Sequence, residues 1–356
     1  MASVTTRCRP TWDEIPPEVR AAVEQRLGAR VTGWISHDGG LSPGLASTLR
    51  TDDGAVFVKA VPVSHRYSAR ANRQEAARMR ALPAGVPAPR AHWLEEIDAH
   101  GGWVAVAFEA IDGRAPTTPL AGDDLDALAR LAREIGSYQI ASGELPELAD
   151  PLPFSETSGL AADRPAGLAT YDPWFVQNVE RVADLEEPAP EAVRGNAVVH
   201  GDLRGDNAVL VGDGGGVRAL AVDWAQAGRG CAFHDLCGLL PSVHAGGGPP
   251  PEDVLARHPL PPGTDDDAVD AWLAALTGYF VAQSLEPAPP GVPHLRGNPA
   301  RERRGLHRLA APPPALLIPA RCRHPRCGHE ICRSRAMIAC RSHAHNGDRA
   351  TRRRPR

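Results

Sequence analysis

The sequence predicts an α+β fold of two lobes, a small β-rich N-terminal lobe followed by a larger helical C-terminal lobe. Three observations predict it. Short apolar runs bounded by turn residues crowd into residues 45–111, and apolar residues at helical spacing dominate from residue 122 onward. A chain of 356 residues is also long enough for two modest units. At 42% hydrophobic and 23% charged residues the composition is that of a globular protein, which excludes a coiled coil or wholesale disorder.

The elements follow in chain order. Between residues 10 and 27, Ile15, Val19, Val23 and Leu27 repeat at helical spacing, with Pro16 and Pro17 in the first turn, where a missing N–H costs nothing. A loop containing Gly39, Gly40, Ser42 and Gly44 comes next, followed by an apolar run from Leu45 to Arg50. An Asp53–Gly54 turn and a strand from Ala55 to Val61 complete a hairpin signal. Ala69 to Leu82 are helix formers that stop before Pro83. Trp103 to Ile111, an almost unbroken apolar strand, closes the first lobe.

The second lobe opens with a helix carrying Leu125, Leu128, Leu131, Ile135 and Tyr138 on one face. The proline-rich segment 144–156 reads as a surface insertion. After the apolar stretch Ala197 to Val199, strands are expected at Ala208 to Val211 and Val217 to Asp223, joined by a glycine turn. The last helix, 265–285, takes Thr264 as its N-cap and has three aspartates in its first turn, where the helix dipole favours anions. Its apolar face is Val269, Trp272, Leu273, Leu276 and Phe280.

The net charge of -4 hides a division. Residues 1–296 carry 24 basic and 40 acidic residues, whereas residues 297–356 carry 15 arginines and three acids. That tail has no Phe, Trp or Tyr and only eight Ile, Leu, Val or Met residues, too few for a core of its own. Its cysteines and histidines lack the paired C-x2-C spacing of a zinc module, so neither zinc nor nucleic acid is the expected partner. The break instead suggests a disordered segment out of frame with the body, since codons for Gly305 to Leu309 can be shifted by one base to give a helix-like stretch. No apolar run is long enough to span a bilayer and no signal-peptide core stands at the N-terminus, so a cytoplasmic protein without a membrane partner is expected.

One segment carries the chemistry: His200-Gly201-Asp202-Leu203-Arg204-Gly205-Asp206-Asn207, followed after a hairpin by Val222-Asp223-Trp224. Upstream stands Lys59, the only lysine among 39 basic residues, placed mid-strand in VFVKAV, where an unpaired charge is costly. Glu75 is the only acid in the helix that follows. The order of these motifs resembles the protein-kinase-like fold, and HGDLxxDN with VDW is similar to the aminoglycoside phosphotransferase family of small-molecule kinases. The resemblance covers roughly residues 30–296.

It implies a nucleotide-binding lobe at 30–111 and a helical lobe at 112–296; the leading helix at 1–29 precedes them and the appended tail at 297–356 follows. It also implies transfer of the γ-phosphoryl of ATP, or of GTP, to a hydroxyl of a small molecule, with Mg²⁺ as the metal. In that reading Asp202 is the catalytic base, and Asn207 and Asp223 hold the metal. Lys59 with Glu75 positions phosphates, and Gly39, Gly40 and Ser42 cover them. Glu109 and Ile111 flank the hinge that meets the purine, while His200 and Asp235 brace the catalytic loop. Acceptor recognition is expected from the helical lobe, with Asp265, Asp266, Asp267 and Trp174 as candidates. The competing expectation is a catalytically impaired module that binds nucleotide without turnover.

Overall fold

The computed structural model describes residues 9–37, 43–149, 155–212 and 216–286. Gly39, Gly40 and Ser42, the residues expected to cover phosphates, and the tail from residue 297 lie outside these described residues.

Helix α1 (Pro17–Leu27) begins with proline at its first position and ends on Gly28, whose φ of 72° is the left-handed cap that a residue without Cβ adopts freely. Five strands follow in one antiparallel sheet: β1 (Gly33–Ser36), β2 (Leu45–Thr51), β3 (Gly54–Pro62), β4 (Ala91–Ile97) and β5 (Trp103–Glu109), in the spatial order β1-β2-β3-β5-β4. Helix α2 (Arg66–Ala81) is inserted between β3 and β4. Ile15, Val19 and Val23 of the first helix region pack on one sheet face with Leu45, Leu49, Val58, Trp93 and Trp103. The leading helix is thus part of the core of the first lobe. Packing on the opposite face leaves Lys59 in register with Ala46 of β2 and Val106 of β5.

The chain crosses to the second lobe through Arg114, whose backbone exchanges hydrogen bonds with Leu210 at 2.9 and 2.8 Å. There α3 (Gly122–Ile135) buries Leu125, Leu128, Leu131 and Ile135 in a core that also holds Ala76 and Met79 of α2 and Val106 and Phe108 of β5. That shared core fixes the two lobes against each other. The remaining helices are α4 (Glu156–Asp163), α5 (Pro173–Gln177), α6 (Val179–Glu186), α7 (Ala189–Ala192), α8 (His234–Ala245), α9 (Pro251–Arg257) and α10 (Asp266–Leu285). Two short antiparallel pairs carry the loops of interest: β6 (Ala197–Val199) with β9 (Gly228–Gly230), and β7 (Ala208–Gly212) with β8 (Val217–Ala221).

Three expectations need correction. The segment after residue 144 is not a surface insertion in its described part: Leu145 and Leu148 are buried, and the backbone of Pro146 and Leu148 bonds Arg229 of β9. The cap of α10 is Asp265, which accepts from the Asp267 N–H at 3.1 Å, whereas the Thr264 hydroxyl donates to Pro261. The strand expected through Asp223 ends at Ala221, because Asp223 leaves extended geometry altogether.

Candidate active site

Lys59, Glu75 and Asp223 meet in the cleft between the lobes. The Lys59 ammonium donates to both carboxylate oxygens of Glu75, at 2.9 and 2.8 Å, and lies 3.3 Å from Asp223 Oδ1. Strand β3 supplies the lysine and the buried face of α2 supplies the glutamate, so the sheet and its helix are joined across 16 residues of sequence. Burial opposes the ammonium, but Glu75 and Asp223 together outweigh it and hold the Lys59 pKa above its ordinary value. Burial pushes the Glu75 carboxyl up, an effect that Lys59 and the Trp224 N–H offset only in part. The Asp223 carboxyl is held below the usual range by the same ammonium, against the effect of burial.

Asp202 and Asn207 form the second half of the site. The Asn207 amide nitrogen donates to the Asp202 carbonyl at 2.7 Å and to its Oδ2 at 3.0 Å. This commits the nitrogen to Asp202 and leaves the amide oxygen as a donor atom for a cation. Burial raises the Asp202 pKa, while Arg204 and then His200 pull it back down. Arg204 was not singled out from the sequence; its Nε lies 3.3 Å from Asp202 and its Nη2 3.3 Å from Asp206.

Behind these groups stands a buried brace. Asp235, at the start of α8, accepts from the backbone N–H groups of His200 at 2.7 Å and Gly201 at 3.0 Å. Burial works against its charge, yet His234 first and then His200, whose backbone N–H it accepts, keep its pKa low. Fully buried His200 bonds the Val222 carbonyl through Nε2 at 3.0 Å and meets the Trp224 ring edge-on at 4.7 Å. Gly201 has φ of 80°, and a Cβ there would stand 2.5 Å from the Gln226 carbonyl, so only glycine fits where the two loops cross.

Glu109 ends β5 at the lobe junction, with its N–H donated to Arg90, and Ile111 follows half-buried. Phe57 was also missed. It stands two residues before Lys59 on β3, hence on the same sheet face, with His37 at 5.5 Å between ring centroids and Phe108 as its cross-strand partner. The period of two was the available signal. Asp265 to Asp267 sit at the start of α10, and Trp174 packs in the cluster of α4, α5 and α6 with Phe175.

The donor set bears on which metal the site suits. Among the described residues no three His, Cys, Asp or Glu side chains converge to hold a metal ion. Mg²⁺ does not need three: it keeps waters and phosphate oxygens and takes one or two protein oxygens, and the Asn207 amide oxygen and the Asp223 carboxylate are oxygen donors of the kind that would fit it. Among the described residues no helix is long and apolar enough to cross a membrane.

Residues 44–277 match the sequence model of the phosphotransferase enzyme family, APH. Solved structures share the fold at low identity. Spectinomycin phosphotransferase APH(9)-Ia, in complex with ADP and spectinomycin, is 12% identical with a TM-score of 0.53, over 84% of this chain and 99% of that one. The microcompartment-associated aminopropanol kinase is 14% identical with a TM-score of 0.50, over 82% and 94% of the two chains. Ethanolamine kinase from Plasmodium vivax is 12% identical with a TM-score of 0.50, over 78% and 80%. These likenesses are of fold, and the fold is protein-kinase-like. No curated protein matches the chain in sequence.

Proposed function

The chain belongs to the phosphotransferase enzyme family, and from that premise we propose that it transfers the γ-phosphoryl group of ATP, or of GTP, to a hydroxyl of a small molecule. The observation that carries the reading is the meeting of Lys59, Glu75 and Asp223 opposite the Asp202–Asn207 pair. Phosphoryl transfer asks a protein for positioning and charge neutralisation rather than covalent chemistry, and these side chains are of that kind.

Lys59, oriented by Glu75, meets the phosphates. Asn207 and Asp223 hold Mg²⁺, which when bound neutralises charge on the phosphate oxygens. Asp202 orients the acceptor hydroxyl and takes its proton as the oxygen bonds to the γ-phosphorus, whose bond to the bridging oxygen breaks to release the nucleoside diphosphate; a carboxyl raised by burial is a stronger base than a solvated one. Asn207 aligns the base by donating to Asp202 Oδ2, and Asp235 holds the two backbone N–H groups just before it. Phe57 and Phe108 offer an apolar wall to the purine below the hinge at Glu109–Ile111.

The test is nucleotide consumption with a panel of hydroxylated acceptors, begun with spectinomycin, aminopropanol and ethanolamine, the molecules named for the related structures. Asp202→Asn is expected to lower kcat by about 10²–10⁴-fold, the worth of a positioned base, with nucleotide binding intact. Turnover that survives the change sinks the mechanism. A wild-type chain that binds ATP and turns over no acceptor is instead a nucleotide-binding module.

A further inference from the structure

The backbone of the metal loop is strained. Asp223 holds φ 66° and ψ 59°, a left-handed conformation that non-glycine residues keep only when their surroundings impose it. The surroundings that do so lie on both sides of it. From the second lobe, His200 bonds the Val222 carbonyl at 3.0 Å, and the Val222 N–H donates to the Asn207 carbonyl at 2.9 Å. From the first lobe, helix α2 supplies two groups one turn apart. Glu75 accepts the Trp224 N–H, and Arg78 donates through Nη1 to the Ala225 carbonyl.

Arg78 is costly where it stands. Half-buried, it has its pKa lowered by desolvation and by Arg70, and among the described residues it makes no ion pair. A methionine of similar reach would pack against the same surface without that charge. The arginine adds one thing that packing does not, a fixed hydrogen bond to the carbonyl two residues beyond Asp223.

We propose that Arg78 is a positioning residue for Asp223. By tying the Ala225 carbonyl to α2, it keeps the loop in the conformation that points the Asp223 carboxylate at Lys59 and the metal position. The same helix therefore sets both the phosphate lysine, through Glu75, and the metal aspartate, through Arg78. This rests on the nucleotide and metal assignments made above.

The experiment is equilibrium binding of ATP to the full chain, with Mg²⁺ and with EDTA, for the wild type, Arg78→Met, Arg78→Lys, Asp223→Asn and the Arg78→Met/Asp223→Asn double variant. In the wild type Mg²⁺ tightens binding. Arg78→Met is expected to cut that gain about tenfold, the low end for a group that supports a metal ligand, here through the backbone two residues beyond it, and to leave metal-free affinity unchanged. Arg78→Lys keeps a donor and recovers part of the gain, and in the Asp223→Asn background Arg78→Met costs nothing more. A wild-type Mg²⁺ gain in Arg78→Met overturns the proposal, as does an equal loss of metal-free affinity. Native-state hydrogen exchange separates a local from a global effect: acceleration confined to residues 222–227 supports the role, and uniform acceleration overturns it. A wild-type chain that fails to bind ATP at all refutes the functional reading itself, which is a different result from any of these.

Discussion

Replacing Lys59 with methionine removes the single lysine and leaves Glu75 behind. The Glu75 side chain is only 3% exposed, and both its oxygens are spent on the ammonium, so the variant retains a buried carboxylate with the Trp224 N–H as its main support. Breaking a buried pair from one side typically costs about 3–5 kcal/mol. Protonation limits the cost. Neutralising a carboxyl of ordinary pKa near 4.3 costs about 3.7 kcal/mol at pH 7 but only about 1 kcal/mol at pH 5. In the variant the folded-state pKa lies above the unfolded one, so the folded state binds the extra proton and stability falls as pH rises above the carboxylate range. Lys59→Met is therefore expected to lose about 3–4 kcal/mol at pH 7 and about 1–2 kcal/mol at pH 5, including some lost packing of the lysine stem. Lys59→Met/Glu75→Leu should recover most of the pH 7 loss, because the charge left unpaired is gone. Urea unfolding of the three chains at both pH values measures it. An equal loss at the two pH values, or a double variant no more stable than the single one, refutes the claim that a buried ionised pair holds β3 to α2.

With one lysine in the chain, amine-directed labelling reports on the site directly: ATP with Mg²⁺ should protect Lys59 from reductive methylation, read as one mass increment lost from the peptide containing residue 59. The acid limb of the rate profile should follow Asp202, whose pKa burial raises and Arg204 lowers. Arg204→Met removes the lowering influence, so the fall in activity on acidification should begin at higher pH, and a limb that stays put would show that Asp202 is not the titrating base.

The parts of the site most legible in the sequence were those where a residue type is rare. Lys59 stands out because the other basic residues are arginines, and Glu75 because its helix holds no second acid. The same rarity argument explains what was missed. Arg78 and Arg204 are two among 38 arginines, so neither residue type nor local spacing marks them, and only the folded contacts with Ala225 and Asp202 do. Strand β4 was missed for a different reason. Its buried side chains are Trp93 and Ile97, four residues apart, which imitates a helical stripe, and an irregularity between Ala91 and Trp93 breaks the alternation that would have betrayed a strand. The prolines of segment 144–156 suggested exposure, yet Pro146 lends its carbonyl to Arg229 and needs no N–H for that, so Leu145 and Leu148 can turn inward.

The charges in the cleft do not balance, and the imbalance bears on recognition. Asp202, Asp206, Glu75 and Asp223 face Lys59 and Arg204, so four carboxylates meet two cations. A polyphosphate entering such a cleft by itself brings like charge toward like, at about 4 kcal/mol for each pair of unit charges 4 Å apart at an effective dielectric near 20. Lys59 cannot offset this alone, because Glu75 and Asp223 already share its ammonium. Two excess negative charges are what one divalent cation neutralises. On the proposed assignment the lysine is thus better suited to orienting phosphates than to attracting them, and attraction would fall to the cation that Asn207 and Asp223 are proposed to hold. Recognition of the nucleotide then depends on the backbone that aims Asp223 as much as on the lysine that first drew notice.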